Sequence, residues 1–378
     1  MSRARQRRAL AVAALVLTAC SAFTSIPGVA GAPGAQRVPG TELFDWKGVV
    51  HCHSHFSHDS DGKLETIVAA AQAHGIDFVV MTDHQTEASV RDGVRGRVGG
   101  VLFVVGAEVG CRNSSLLAFP LQKPLRRFQH PALLVAEAHQ QGALVFLCHA
   151  ERWDDGWDTP GLDGVEIVNL HAGAKAAGAA GTVGTALFLP VRALLERFCQ
   201  RNPEVFRRWD AELLRGRRLP PVGGNDAHAN VRAFGPLGGT IGDYREVFAM
   251  LSTHVLAERL DEASLVEALR AGRSYVAFDG FGEGSGFDFR AVRGHAVHLP
   301  GDAVAPSPEL VLRVAVPRPG VVTLWRDGEL CVERTAAQLE VRDPAPGFYR
   351  VEVHTLDGQP WLFSGVIRVL PGVGGQGR

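Results

Sequence analysis

A histidine-rich stretch near the N-terminus carries the residue types in this chain that are most able to do chemistry. Residues 51–62 read HCHSHFSHDSDG, with four histidines and two aspartates in twelve residues, and they follow the apolar pair Val49-Val50. His51 and His53 alternate at the predicted end of a strand, where a side-chain period of two directs both imidazoles to the same side. Neutral imidazoles with carboxylates close by suit a divalent ion such as zinc, manganese or iron. The stretch therefore predicts a metal site, with a solvated histidine-rich loop as the alternative.

Polar side chains of the same types follow four further predicted strands. In an α/β domain with parallel strands, functional side chains collect where the strands end. The predicted strands are 76–81, 101–105, 143–147 and one that begins at Val222, and the ligand-type residues that follow them are His84, Glu108, His149, Asp226 and His228. We expect these residues to share one rim with His51 and His53.

The order of predicted elements indicates an α/β domain. Strands alternate with helices predicted over 63–74, 131–141 and 262–271. Such alternation is typical of a mostly parallel sheet. The number of strands favours a barrel or distorted barrel over an open sheet.

The C-terminal region has a different sequence pattern. Short strand-like runs, among them 310–316 and 321–326, are separated by turn dipeptides such as Asp327-Gly328. This pattern predicts a small antiparallel β-sandwich over 287–371, followed by a flexible tail over 372–378. No cluster of histidines and carboxylates converges there, so we expect an accessory role.

The N-terminal residues 1–20 are typical of a secretory signal. A basic start is followed by an apolar run over 9–17 that is too short to span a bilayer. The run closes in Leu17-Thr18-Ala19-Cys20, which resembles the bacterial lipobox, in which the cysteine is lipidated. We predict export to the periplasm or cell surface with a lipid anchor at Cys20, the alternatives being simple cleavage nearby or an uncleaved N-terminus. A flexible linker is predicted over 21–45.

The overall composition is that of an ordinary globular protein. The chain has 378 residues, 46% of them apolar and 21% charged, with a formal net charge of −1. Its length suits two domains. Because no global field draws it to nucleic acid or to an anionic membrane, we expect a small-molecule substrate and membrane contact only through the lipid anchor. Five widely spaced cysteines remain besides Cys20, so a disulfide framework is not expected.

The ordered set of motifs resembles a known family. H-x-H followed by S-x-x-S-D-G, T-D-H, G-x-E, a lone His, D-x-H and the later EALRAGRSYVAFDG are together similar to the PHP (polymerase and histidinol phosphatase) family of metal-dependent phosphoesterases. The resemblance covers about residues 46–286. It implies a distorted (β/α)7 barrel with two or three divalent metal ions at the C-terminal rim.

The resemblance also implies how the ligands are shared. It groups His51 and His53 with bridging Glu108 and Asp226, then Asp61 with His84 and His228, and finally His149 with Glu108. Two departures bear on this scheme. Many relatives carry a Gly-His pair where this chain has residues 113–117, reading NSSLL, so Cys111 or His171 is a candidate replacement and two metals are as credible as three. The loop before Gly62 is also longer, which leaves Asp59 and His58 as alternatives to Asp61; we favour Asp61 because it directly precedes Gly62.

Other residues are expected to support the ligands and the substrate. Asp83 is predicted to orient His84 or another ligand from behind. Arg152 and Arg232 are candidates for holding a phosphate, and surface arginines in loops are the alternative. The resemblance implies a phosphoesterase that uses a metal-activated water. Hydrolysis of carboxylic ester or carbamate bonds is a second hypothesis, and a non-catalytic, metal-binding surface lipoprotein is a third.

Overall fold

The computed structural model describes residues 35–111, 114–153, 157–172, 196–228, 231–232, 240–241 and 243–371. The predicted signal segment, most of the predicted linker and the predicted C-terminal tail lie outside these residues. In the part described, no helix is long and apolar enough to cross a membrane.

The first part of the chain mixes strands and helices. Its strands are β1 (Gln36–Arg37), β2 (Phe44–Cys52), β3 (Phe78–Met81), β4 (Gly96–Val98), β5 (Val101–Val105), β6 (Ala107–Cys111), β7 (Ser114–Phe119), β8 (Leu144–Leu147), β9 (Gly164–Asn169), β10 (Pro221–Ala227), β11 (Val231–Arg232), β12 (Thr240–Ile241), β13 (Ser252–Ala257) and β14 (Ser274–Ala277). Its helices are α1 (Leu64–Ala73), α2 (Glu87–Arg91), α3 (Pro131–His139), α4 (Pro203–Leu214), α5 (Tyr244–Phe248) and α6 (Glu262–Ala271), with a 3-10 turn at Ala150–Arg152. The α/β class predicted from the sequence is confirmed.

Local sequence explains where these elements begin and end. The side chain of Asp261 accepts a hydrogen bond from the backbone N–H of Ser264 at 2.8 Å and so caps α6. Gly272, with φ of 85°, ends the same helix in the left-handed conformation that glycine adopts without strain. The five residues of β5 are all buried, as expected of a strand that is covered on both faces.

In this part of the chain, the series of paired strands begins and ends with β2. β2 pairs in parallel with β3, and β3 with β5. After Gly106 the chain continues as β6, which pairs antiparallel with β7, and β7 pairs antiparallel with β8. β8, β9, β10 and β2 are then paired in parallel. Within this series of strands the pairing is mostly parallel, and β7 is the exception because the short link between β6 and β7 leaves no room for a crossover. Outside the series, β1 and β13 pair antiparallel with β2, and β4 pairs antiparallel with β5.

The two faces of these strands pack against different partners. One set of alternate residues forms a buried apolar cluster whose members include Val50, Val80, Val104, Leu117 and Phe146. The other set packs with Ile67 of α1 and Leu134 of α3, and includes Val49, Val79, Phe103, Leu116 and Val145. Burial of both faces is the physical reason for the continuous apolar runs that reveal these strands in the sequence.

From residue 288 onward, the described chain contains strands only. They are β15 (Asp288–Arg293), β16 (Ala296–His298), β17 (Ala303–Val304), β18 (Val311–Arg326), β19 (Glu329–Arg342), β20 (Gly347–His354), β21 (Pro360–Ser364) and β22 (Ile367–Val369). The strands predicted over 310–316 and 321–326 are one strand, β18, whose pairing with β19 shifts between Ala315 and Gly320. Asp327 and Gly328 form the predicted turn, with φ of 56° and 81°.

The two parts of the chain are joined by hydrogen-bonded strands. β2 pairs antiparallel with β13, β13 with β14, and β14 with β21. The predicted linker over 21–45 is wrong at its C-terminal end, because β1 pairs with β2, and Val38 and Leu43 are buried among apolar residues of the C-terminal strands. A stretch rich in glycine and proline is thus held in place by two apolar side chains.

Candidate metal centre

Three of the predicted ligands have an unusual backbone conformation. His51, His149 and Asp226 have φ of 66°, 48° and 48°, in the left-handed region that non-glycine residues rarely adopt. The pairing of β2 with β10 also shifts between Gly224 and Ala227, as at a β-bulge. The imidazoles of His51 and His53 therefore share one site through a local irregularity, and simple strand alternation is not the reason. Such strain is typical of functional sites.

The structure brings seven of the eight predicted ligands together. Within each of three overlapping groups, one nitrogen or oxygen from every residue lies within 4.8 Å of the others. The groups are His51, Glu108 and His149; His51, His53 and Asp226; and His53, Asp59, His84 and His228. Since His51 and His53 each belong to two groups, the arrangement is one continuous centre with several places for an ion.

Two carboxylates lie between the imidazoles. Oδ1 of Asp226 is 3.4 Å from Nε2 of both His51 and His53, and Oδ2 is 3.6 Å from Nε2 of His149. Oε2 of Glu108 is 3.4 Å from Nε2 of His51 and 3.3 Å from Nδ1 of His84. Each carboxylate thus presents oxygens to more than one imidazole, which is the geometry of a bridging ligand.

Asp59, rather than Asp61, lies with His84 and His228. Its Oδ2 is 3.1 Å from Nε2 of His84 and 3.3 Å from Nε2 of His228. Asp61 is exposed and belongs to none of the three groups, so this geometry favours Asp59, the predicted alternative, over Asp61. The intervening Ser60 is buried and donates to the carbonyl of His228 at 2.7 Å. This contact holds the loop so that Asp59 points toward the centre. The position of Asp61 directly before Gly62 does not predict which aspartate does so.

The outer nitrogens of three histidines are already engaged. Nδ1 of His51 donates to Glu166 at 2.7 Å, and Nδ1 of His53 donates to the hydroxyl of Ser57 at 3.0 Å. Nδ1 of His228 donates to the carbonyl of Asp226 at 2.8 Å. Nε2 of each ring therefore faces the centre, and in the neutral tautomer that these contacts favour it directs its lone pair there.

The donor set fits divalent metal ions. Nε2 of His53 is buried and makes no hydrogen bond among the described residues, although two carboxylate oxygens lie 3.4 and 3.5 Å away. Ligands bound at about 2.0 to 2.2 Å to a common ion are separated by about this distance. A buried nitrogen without a proton partner, facing carboxylates, is what an ion would satisfy.

Asp83 supports a ligand through an intermediary. Its carboxylate accepts hydrogen bonds from the backbone N–H of Ser54 at 2.5 Å and from the hydroxyl of Ser57 at 2.9 Å. Ser57 in turn accepts from Nδ1 of His53 at 3.0 Å and from the backbone N–H of His84 at 2.9 Å. The sequence predicts that Asp83 orients either His84 or another ligand. It acts through Ser57 on the imidazole of His53, and it reaches only the main chain of His84.

Glu166 is a functional residue that the sequence pattern does not single out. This buried glutamate of β9 accepts from His51 at 2.7 Å and from the backbone N–H of His149 at 2.7 Å. Asn169 donates to it at 3.1 Å. The one available signal is a lone carboxylate in the apolar run GVEIV, because an acidic residue is rarely buried without a partner.

Burial and neighbouring charges set the protonation of the centre. Burial would raise the pKa of Asp226 and Glu108, but the surrounding imidazoles more than offset it and hold both carboxyl pKa values well below their usual range. Burial lowers the pKa of His53 to about 4, and Asp226 offsets this only in part. The carboxylates are therefore ionised and His53 is neutral, which are the forms that bind metal ions.

The remaining candidates lie at the margin of the centre or away from it. Cys111, predicted as a possible replacement ligand, belongs to none of the three groups, and its thiol lies 3.4 Å from the carbonyl of Ser114. The ring of His171 is 5.4 Å from that of His228, beside the centre but in none of the groups. Arg152 is 45% exposed, with Nε 3.6 Å from Glu151. The side chain of Arg232, and Cys20, lie outside the described residues.

The fold and the ligand set are those of a mixed α/β protein with a divalent-metal centre. Residues 50–208 match the model of the PHP domain. The PHP-family resemblance predicted from the motifs is therefore confirmed over residues 50–208. The match begins at Val50, next to the first ligand, and ends before Asp226 and His228.

Solved structures similar to this chain include two from bacteria. One, from Bacteroides vulgatus, is a two-domain protein containing a predicted PHP-like metal-dependent phosphoesterase; it is 16% identical over 88% of this chain and 98% of its own, with a TM-score of 0.45. The other, from Bifidobacterium adolescentis, is a candidate metal-dependent phosphoesterase; it is 17% identical over 53% of this chain and 93% of its own, with a TM-score of 0.31. No curated protein matches the chain.

Proposed function

We propose that the protein is a metal-dependent phosphoesterase that hydrolyses a small-molecule phosphate ester. The observation that carries the proposal is the sharing of His51 and His53 between overlapping ligand groups, with Glu108 and Asp226 between the imidazoles. When bound, closely spaced divalent ions lower the pKa of water toward about 7 and neutralise charge that develops on ester oxygens. Zinc, manganese and iron all suit this donor set, with two or three ions.

The protein supplies a preorganised, partly open site. The side chains of His51 and His53 are fully buried, whereas those of His84 and Asp59 are 29% and 33% exposed. The substrate therefore approaches from the side of His84 and Asp59. Glu166 and Ser57 hold the rings of His51 and His53 from behind, so that neither ring has to reorient when a ligand binds.

Hydrolysis of carboxylic esters is an alternative function that the residues around the site also support. A phosphoesterase usually places a cation beside the phosphate. Arg152, three residues after His149, lies near Glu151 and is 45% exposed. Without a cationic partner, the same ligand set would suit a carboxylic ester or a carbamate, whose hydrolysis develops less negative charge. A non-catalytic, metal-binding role would not account for the partly exposed side of the centre.

We also propose the architecture and location that the family resemblance and the N-terminus favour. With β5 and β6 counted as one strand, the closed order of pairing supports a distorted (β/α)7 barrel, followed by an accessory β domain over about 287–371. The basic and apolar residues of the N-terminus support export and lipidation at Cys20. Mass spectrometry of the N-terminal peptide from the native host tests the lipidation, because an unmodified peptide that includes Met1 would exclude it.

The activity is tested by measuring bound metals and hydrolysis on the same preparation. Phosphomonoesters, phosphodiesters and carboxylic esters are compared, with Asp226→Ala as the inactive variant. We expect two or three equivalents of metal and hydrolysis of a phosphate ester, which Asp226→Ala abolishes. Hydrolysis that survives Asp226→Ala, or a protein that binds no metal after reconstitution, would overturn the proposal. Activity confined to carboxylic esters would support the alternative.

A further inference from the structure

Phe128 is a large apolar side chain that the fold leaves in solvent. It is 71% exposed and has φ of 58°, a conformation that is costly for a bulky residue. Its backbone N–H donates to the carbonyl of Gly110 at 2.8 Å. A single exposed apolar side chain is ordinary on a protein surface. The left-handed backbone of this bulky residue is not, and it is the feature of Phe128 that calls for an explanation.

Gly110 places the ring of Phe128 on the face of β6 that carries Glu108. Residues 108 and 110 project from the same face of the strand, about 7 Å apart along it. A Cβ added to Gly110 would lie 3.3 Å from Cε1 of Phe128, so the ring occupies the space where a side chain would project. The ring therefore lies beside the strand that supplies the bridging glutamate of the metal centre, two residues beyond that glutamate.

The loop that carries Phe128 is fastened to the centre at a second point. The side chain of Gln85, which follows His84, donates to the carbonyl of Leu125 at 2.5 Å and accepts from its N–H at 2.9 Å. Gln85 is buried, and its own backbone N–H donates to the carbonyl of Glu108 at 3.3 Å. The position of the loop is thus set by the residues next to His84 and Glu108, on the partly exposed side of the centre.

Arg127 adds a positive charge beside the ring of Phe128. Its guanidinium carbon lies 4.9 Å from the centre of the Phe128 ring, within the range of a cation–π contact. Both side chains are exposed. A planar ring can stack on either of them, and the positive charge favours an anionic ester.

We propose that Arg127 and Phe128 form a subsite for a planar, ring-bearing organic group of the ester substrate. This inference rests on the proposed phosphoesterase function and narrows it to aryl or heterocyclic phosphates. The phosphate lies at the metal centre, and the ring stacks on Phe128. The subsite determines specificity and takes no part in bond cleavage.

Binding of two phosphonates to the metal-loaded full chain tests the subsite. Phenylphosphonate and methylphosphonate share the anionic group and differ in the ring, and neither can be hydrolysed as an ester. We expect Phe128→Ala to weaken phenylphosphonate binding about three- to tenfold in calorimetry and to leave methylphosphonate binding unchanged. Phe128→Tyr, which keeps the ring, should retain the preference. Leu133→Ala is the matched control, since Leu133 is also an exposed apolar residue, at 60%, but lies on α3.

Kinetics with phenyl phosphate and methyl phosphate separate the subsite from the activity. Phe128→Ala should raise KM for phenyl phosphate and leave kcat for methyl phosphate unchanged. Equal effects on both compounds, or no effect, would overturn the subsite while the phosphoesterase stands. A selective loss of phenylphosphonate binding without hydrolysis of any phosphate would overturn the activity and retain the subsite. If neither phosphonate binds and no phosphate is hydrolysed, both proposals fail.

Discussion

Nδ1 of His51 lies 2.7 Å from Oε1 of Glu166, and both side chains are fully buried. The same glutamate accepts the backbone N–H of His149, so one carboxylate positions two ligands of the centre. A buried carboxylate behind a ligating imidazole fixes the tautomer and increases the basicity of the ring.

Glu166→Gln should weaken metal binding about 10- to 100-fold. Glutamine keeps an acceptor for His51, but its amide group cannot accept the N–H of His149 as the second carboxylate oxygen does. The measurement is the metal content and affinity of the purified variant, by titration against a chelator.

Glu212→Gln is the control for this substitution. Glu212 is also a buried glutamate, but it lies on α4 and pairs with Arg215 and Arg217. Its loss should reduce stability and leave metal affinity unchanged. Equal metal affinities for wild type and Glu166→Gln would contradict the positioning role.

Asp59→Asn and Asp61→Asn form a second matched pair. Asp59 lies 3.1 Å from His84 and 3.3 Å from His228, whereas Asp61 is exposed and outside the ligand groups. We expect Asp59→Asn to lose up to one equivalent of metal and most of the hydrolysis, at least tenfold. Asp61→Asn should change both by less than about twofold. The reverse result would restore the assignment drawn from the sequence spacing.

The type of site is predictable from the sequence, but its full ligand set is not. His51, His53, His84, Glu108 and the Asp226 to His228 motif follow apolar strands, and parallel strands bring such positions to one edge. The loop before Gly62 has no such periodicity, so the choice between Asp59 and Asp61 depends on a tertiary contact from Ser60 to His228. The role of Glu166 is also not predictable from the sequence, because it depends on a contact with His51 on another strand of the sheet.

His254 should make stability depend on pH. Burial alone lowers the pKa of this histidine, but Asp45, whose Oδ1 lies 2.8 Å from Nδ1, more than offsets burial, and the pKa is raised above its usual value. The contribution of this pair is complete below the unfolded pKa of about 6.5 and is lost as pH rises through the folded pKa. The free energy of unfolding should therefore decline from pH 6 toward alkaline pH.

Urea unfolding of wild type and His254→Gln at several pH values measures this contribution. Tyr275, Lys47 and Asp279 also act on the pair, and the difference between the two proteins removes what they and the metal ligands contribute on their own. The wild-type advantage should be largest at pH 6 and shrink above it. An advantage that grows with pH would mean that His254 is neutral in the folded protein.

The cysteines should differ sharply in reactivity. Cys331 is exposed, whereas the other four described cysteines, Cys52, Cys111, Cys148 and Cys199, are buried. Burial raises the thiol pKa of Cys52 and Cys148 well above the ordinary value, which removes the reactive thiolate at neutral pH. Among the five described cysteines, iodoacetamide should label Cys331 in the native protein and all five in urea, as measured by peptide mapping. Native labelling of Cys148 at the rate of Cys331 would contradict the burial.

Much of the fold can also be predicted, with errors where local pattern and tertiary contact disagree. The helix over 262–271 is predicted correctly because its cap residues and its apolar spacing agree. β18 is predicted as two strands because Pro317 to Gly320 interrupts the apolar pattern, although the chain runs on through an irregularity. The order around Val38 depends on burial against C-terminal residues far away in sequence, which a local pattern cannot reveal.

Strand β2 belongs to two sets of neighbours at once. Its first half pairs with β1 and β13, and its second half, which leads to His51, pairs with β3 and β10. Through β13, β14 and β21 the ligand-bearing strand is hydrogen-bonded into the C-terminal strands. An ion that binds only the folded centre therefore stabilises every segment that unfolds together with β2. Removal of the metal by a chelator should therefore lower the protease resistance of the C-terminal strands, although these strands contribute no ligand to the centre.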